Sequence, residues 1–186
     1  MLREKFRKEL DPERNELFFA KRVLFVEGDT EKLALPAFAE KLRIDLDRAG
    51  VTIVEVGGKK SLKAMAEVAI SFGIPTGILF DRDSKDFSSE REKEEACNKE
   101  LLGLAPEGSI HAAWMLDKDY EAVVRATLGE KNYIQLCGTY STPSKPIKGR
   151  LIAADPRTKV PPQIDEVLAW ATGTASALKV QETAQA

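Results

Sequence analysis

Three short runs rich in β-branched and aromatic residues, Arg22 to Glu27, Val51 to Val56 and Pro75 to Phe80, are separated by two stretches whose apolar residues recur at helical spacing. Over Glu31 to Arg43 these are Leu33, Leu35, Phe38, Ala39 and Leu42, with Asp29 or Thr30 placed to act as N-cap. Over Ser61 to Phe72 they are Leu62, Met65, Val68, Ala69 and Phe72, following a Gly57-Gly58 turn. The first run, R-V-L-F-V-E, has no alternation of apolar and polar residues, as expected of a strand buried on both faces. Strands joined by helices of this length imply right-handed crossovers and a mainly parallel sheet. Ile110 to Leu116 adds a fourth strand, so the expected fold is α/β, a four-stranded sheet flanked by helices with a small extra helical element.

The rest of the chain divides around that core. Residues 1–21 are highly charged and read as a lead-in helix or linker, and residues 22–130 form the core. The core includes a charged helical insertion near 88–102, expected to be a solvated face, and a short helix over Tyr120 to Leu128. Residues 131–172 supply a Ser-, Thr- and Pro-rich loop from Gly138 to Pro146 and helices over Ile147 to Ala154 and Gln163 to Thr172, and residues 173–186 read as a loosely packed tail. No stretch approaches the ~20 apolar residues of a membrane span, and the charged N-terminus lacks a signal-peptide core, so a soluble cytoplasmic chain with no membrane partner is expected. Cys97 and Cys137 fit no metal-ligand spacing and suit a reducing compartment.

In open parallel sheets ligands bind beyond the carboxyl ends of the strands. Three of the strands end in acids here: the first in Glu27, followed in the next turn by Glu31; the third in Asp81 and Asp83; the fourth in Asp117, Asp119 and Glu121. Two unit charges about 5 Å apart at an effective dielectric of 20 repel by roughly 3 kcal/mol, so convergence of these acids calls for bound cations. An all-oxygen set selects Mg²⁺ or Mn²⁺, since one histidine and two cysteines cannot build a zinc site, and His111 is given a structural role. Without convergence, Glu27 and Asp83 would only cap helices, and Asp119 and Glu121 would line a solvated helix start. The near-balance of 28 basic and 30 acidic residues shows no bulk attraction to nucleic acid, so positive charge must be local. Lys59, Lys60 and Lys63 beside the Gly57-Gly58 turn could hold a backbone phosphate at a helix N-terminus.

The segment F-V-E-G-D-T-E from Phe25 to Glu31, the Gly57-Gly58 turn and I-P-T-G-I-L-F-D-R-D from Ile74 to Asp83 resemble the Toprim domain, a Rossmann-like fold shared by topoisomerases, primases and recombination nucleases. The longer N-E-L-F-F-A-K-R-V-L-F-V-E-G-D-T-E from Asn15, with D-Y-E from Asp119 to Glu121, resembles more narrowly the OLD (overcoming lysogenization defect) nucleases. The resemblance implies a metal-dependent nuclease that cuts DNA by a two-metal mechanism. It places metal ligands at Glu27, Glu31, Asp81, Asp83, Asp119 and Glu121, with Asp29 and Asp117 as second choices. Glu27, Asp81 and Lys145 would be catalytic, Lys145 matching the family's late lysine, with Lys148 close behind and grouped with Lys59 and Lys60 as nucleic-acid contacts. It further implies an N-terminal ABC-type ATPase, for which this sequence has no phosphate loop, and homo-oligomers formed through that missing domain. The alternatives are the Toprim module of a topoisomerase or primase, or a non-catalytic metal-binding assembly module.

Overall fold

The computed structural model describes residues 16–83 and 88–174; the expected lead-in up to residue 15 and the tail from residue 175 lie outside the described residues. A 3-10 turn at Glu16–Phe19 leads into β1 (Arg22–Val26), α1 (Asp29–Lys41), a one-turn α2 (Leu46–Ala49), β2 (Val51–Glu55), α3 (Lys59–Ser71) and β3 (Thr76–Asp81). Then follow α4 (Ser88–Gly103), β4 (Ala112–Leu116), α5 (Tyr120–Leu128), α6 (Glu130–Thr139), α7 (Lys145–Ala154) and α8 (Pro162–Thr172). The four strands form one wholly parallel sheet in the order β2-β1-β3-β4. The α/β expectation holds.

The two central strands, β1 and β3, are buried on both sides, which explains why β1 shows no alternation. Leu24 and Val26 point into a core shared with Phe38 of α1, Val124 of α5, Leu136 of α6, Ile152 of α7 and Leu168 of α8. Val23 and Phe25 point the other way, into a core with Leu62 and Ala66 of α3 and Leu101 of α4. Each fully buried Leu or Phe side chain contributes roughly 1.5–3 kcal/mol. Two such layers hold the central pair β1 and β3 rigidly, and the carboxyl ends of that pair deliver Glu27 and Asp81.

Both crossover helices begin two residues before the expected start, because glycine rather than Asp29 or Thr30 occupies the cap position. Gly28 is extended (φ −147°, ψ 177°), and Gly58 has φ 119° and ψ 157°, a conformation that favours glycine. Neither glycine offers a side-chain cap, and backbone N–H groups at the two helix starts are taken up instead by acids of the carboxyl edge, that of Lys59 by Glu27 and those of Gly28 and Glu31 by Glu31. α6 occupies a stretch in which no helix is evident from sequence and shortens the expected 138–146 loop to residues 140–144. Its buried side is only Tyr133 and Leu136, too few apolar residues to register as a period.

α7 crosses α1 closely at a glycine. A Cβ on Gly149 would lie 2.7 Å from Thr30 Cγ2, a short side chain that is itself buried. This contact sets how near the start of α7, and with it Lys145, comes to the acids of β1 and α1. Gly149→Val is expected to lower stability by about 3 kcal/mol, the cost of overpacking a tight helix crossing, measured by urea denaturation. An unchanged unfolding midpoint would show that the crossing can relax.

Candidate functional site

β1 and β3 are neighbours in the sheet, so Glu27 and Asp81 emerge side by side at its carboxyl edge. The Asp81 backbone N–H donates to Glu27 Oε2 at 3.3 Å. Glu31 lies one turn into α1 and is only 6% exposed. Burial, followed by the charges of Glu121 and Glu27, pushes the Glu31 carboxyl up to about 7. Burial also pushes Asp81 up to about 8, reinforced by Glu31, Glu27, Asp83 and Glu121. Glu27 is raised by burial too, with Lys59 pulling in the opposite direction. These carboxylates from β1, α1, β3 and α5 therefore share one electrostatic neighbourhood. Within it Asp81 Oδ1 is buried and has no hydrogen-bond partner.

Two lysines flank the acids. On one side Lys59 Nζ, at the start of α3 and 6% exposed, pairs with Asp83 Oδ2 at 3.1 Å and Glu94 Oε2 at 3.3 Å and reaches the Arg82 carbonyl at 3.4 Å. Its ammonium faces the acid cluster, whereas Lys60 is exposed. On the other side Lys145 Nζ, at the start of α7, pairs with Glu121 Oε1 at 3.0 Å. That pairing, with the charges of Glu31 and Asp81 behind it, holds the lysine above its ordinary value. Lys148 lies one turn further along α7 and is half-buried.

The strand-end loops are tied together. Asp83 and Lys118 adopt left-handed conformations (φ 49° and 72°), and the Asp83 N–H donates to the Lys118 carbonyl at 3.1 Å. The expectation that the 88–102 helix is only a solvated face needs correction. α4 turns Glu94, Cys97 and Asn98 toward the site, and Asn98 Nδ2 donates to the Arg82 carbonyl at 2.7 Å, fixing the backbone just after Asp81. Glu94, Cys97, Asn98 and Leu101 follow i, i+3, i+4, i+7 spacing, a signal present in the sequence but masked by the surrounding charges.

The remaining acids fall less centrally. Asp119 is the N-cap of α5, its Oδ1 accepting from the Ala122 N–H at 2.6 Å, and the charge of Glu121 in the first turn of that helix acts on Asp81 and Glu31. Asp29 is exposed, and Asp117 is exposed and pairs with Arg82 at 3.4 Å. His111 accepts the Thr76 N–H on Nδ1 at 3.1 Å, fastening β3. Both cysteines are free thiols. Among the described residues no three acidic, cysteine or histidine side chains already stand as a closed metal cage. Lys59 on Asp83 and Lys145 on Glu121 occupy two of the carboxylates.

Residues 18–83 match the family described as the Overcoming lysogenization defect protein-like TOPRIM domain. That segment is similar to the OLD-like Toprim domain. The matched segment runs from the turn before β1 through Asp83, and so includes Glu27, Glu31, Asp81 and Asp83. The chain is 33% identical over 90 residues to the OLD nuclease of Thermus scotoductus, covering 48% of this chain and 17% of that protein. It is 41% identical over 68 residues to the Old nuclease of Escherichia phage P2, covering 36% of this chain and 12% of that one. The chain thus spans less than a fifth of the length of these curated relatives.

The fold extends beyond the matched segment. The C-terminal region of the Burkholderia pseudomallei OLD protein superposes with a TM-score of 0.57 at 21% identity, over 83% of this chain and 98% of that one. The corresponding region of the Xanthomonas campestris pv. campestris OLD protein gives 0.55 at 21% identity, over 90% and 99%. The four-stranded sheet and the helices that follow it therefore share the fold of those regions. Among the described residues no helix is long and apolar enough to cross a membrane.

Proposed function

We propose that this Toprim domain hydrolyses phosphodiester bonds in DNA with two divalent cations, Mg²⁺ or Mn²⁺, as the nuclease part of a larger protein that also contains an ABC-type ATPase. The observation that carries the reading is the buried, unpartnered Oδ1 of Asp81, set among Glu27, Glu31, Asp83 and Glu121. A buried polar atom without a partner costs on the order of 1–3 kcal/mol, and buried carboxylates repelling one another cost more. A hard cation at this oxygen-only set would relieve both.

Glu27, Glu31 and Asp81 would form the inner ligands, with Asp83 and Glu121 joining as Lys59 and Lys145 exchange partners, and Asp119 ordering the start of α5. When bound, the cations supply Lewis acidity and a water of lowered pKa. Glu27, whose carboxylate accepts the Asp81 N–H, would accept the proton of the attacking water. Lys145 is 72% exposed, so its ammonium can move from Glu121 to the charge that builds on phosphorus oxygens. Lys60 and Lys148 lie on either side and suit backbone contacts that position the strand. Nucleophilic Toprim chemistry is less well supported, because Tyr120 and Tyr133 are buried and Tyr140 is hydrogen-bonded to Asp155.

The direct test is an assay of the purified chain on supercoiled plasmid. Nicking with free ends is expected in Mg²⁺ or Mn²⁺, none in EDTA, and a loss of about a thousandfold or more in Asp81→Ala. Full metal-dependent cleavage by that variant, or relaxation through a covalent protein–DNA adduct, would rule the assignment out.

A further inference from the structure

A second cavity opens beside Glu121 and Lys145, between α5, α6 and α7, with a volume of about 260 Å³. Its walls are mainly apolar, formed by Tyr120, Val124, Tyr133, Cys137 and Ile152, and cations gather at its rim. Arg125 lies over the Tyr133 ring at 4.8 Å from the centroid, while Lys145 and Lys148 come from α7. The larger basin beside Lys59, about 540 Å³, differs in kind: it is lined by Glu27, Asp83, Glu90 and Glu94 together with Lys60 and Lys93. A basin of that composition suits a hydrated backbone and its ions, whereas the smaller cavity would waste its apolar walls on a phosphate.

We propose that the α5–α6–α7 cavity takes one unpaired nucleobase of the DNA strand being cut, next to the scissile phosphate. Three features of the cavity specify this occupant. The volume lies just below the range of about 300–1,000 Å³ usual for small-molecule sites, which fits a single ring system rather than a dinucleotide. The apolar floor and the plane of the Arg125 guanidinium, itself seated on the Tyr133 ring, offer contact to any base, and the cationic rim matches the phosphates on either side of it. Finally, Lys145 and Glu121 belong both to the cavity lining and to the acid cluster, so a base seated here brings its own phosphate to the proposed centre. A fully paired duplex cannot fill the cavity without extruding a nucleotide, which costs unpairing and unstacking energy. The domain should therefore favour single strands, frayed ends and mismatches over continuous duplex.

The inference rests on the nuclease reading, and its test separates the two. Oligonucleotides carrying 2-aminopurine at successive positions are titrated with the full chain, Ca²⁺ replacing the catalytic metal. One position is expected to show a fluorescence change on binding, and single-stranded DNA to bind more tightly than blunt duplex of the same length. Cys137→Phe, which fills the cavity, and Tyr133→Leu, which keeps its apolar volume but removes the ring, are each expected to weaken single-strand binding about tenfold, with duplex binding unchanged. Circular dichroism and urea midpoints confirm which variant is folded, and either suffices. Equal affinity for both DNA forms, or no change in a folded variant, overturns the cavity assignment while plasmid nicking by the wild type still supports the nuclease. Absence of any nucleic-acid binding or cleavage overturns both.

Discussion

Replacing Asp81 by asparagine is expected to make the metal-free domain more stable and, at the same time, indifferent to divalent cations. Asp81 sits near 8, mainly through burial, while an ordinary aspartate titrates near 3.8. The folded state therefore holds the proton more tightly than the unfolded chain. Stability from this source is fully present below about pH 4 and is lost as pH rises toward 8. Glu31, raised to about 7, acts in the same direction. Above neutrality the cation-free protein must either hold protons on these acids or bear buried negative charge. Asparagine is neutral throughout, so the variant should gain on the order of 2 kcal/mol at pH 8. The figure is below the full linkage value because its amide, like Asp81 Oδ1, has no partner there.

Cations should stabilise the wild type and leave the variant unchanged. A ligand at a hundred times its dissociation constant stabilises the folded state by about 2.7 kcal/mol, so Mn²⁺ should raise the wild-type Tm by several degrees. In Asp81→Asn that rise should disappear. Thermal denaturation at pH 6 and pH 8, with and without Mn²⁺, reads all four conditions. A variant less stable than wild type at pH 8 without metal, or one that keeps the Mn²⁺ shift, would mean that Asp81 is neither strained by its burial nor central to cation binding.

Most of the sheet is legible in the sequence because parallel strands buried on both faces carry dense runs such as V-L-F-V and G-I-L-F, and the helices between them carry clear apolar faces. The acids are legible as well, since each lies immediately after a strand or in the first turn of the following helix. Their separate duties are less so. Asp119 and Glu121 are two residues apart, yet Asp119 turns its carboxylate back onto the Ala122 amide while Glu121 faces the cluster. That choice depends on cap geometry rather than composition. The role of Asn98 is hidden in the sequence for a different reason. It is the one buried amide on a helix of charged residues, and only the tertiary packing of α4 over the Arg82 carbonyl gives it a purpose.

The two lysines are expected to respond to truncation in opposite ways, and the contrast distinguishes the chemical part of the site from its scaffold. Lys59 is 6% exposed and holds Asp83, Glu94 and the Arg82 carbonyl. Lys59→Ala strands two partly buried carboxylates beside Glu27, and removing one partner of a buried ion pair costs about 3–5 kcal/mol. Half-exposure of Asp83 places this case at the lower end. Lys145 is 72% exposed and its pairing with Glu121 is largely solvated, so Lys145→Ala should leave stability within about 0.5 kcal/mol of wild type. Its effect should instead appear in turnover, as a fall in kcat of about a hundredfold to a thousandfold with little change in KM, the signature of charge supplied chiefly in the transition state. Lys145→Arg, which keeps the charge but not the point geometry of an ammonium, should recover part of that loss. If Lys145→Ala instead raises KM and leaves kcat intact, the lysine only holds the strand, and the charge that offsets the developing phosphate oxygens must come from the cations alone.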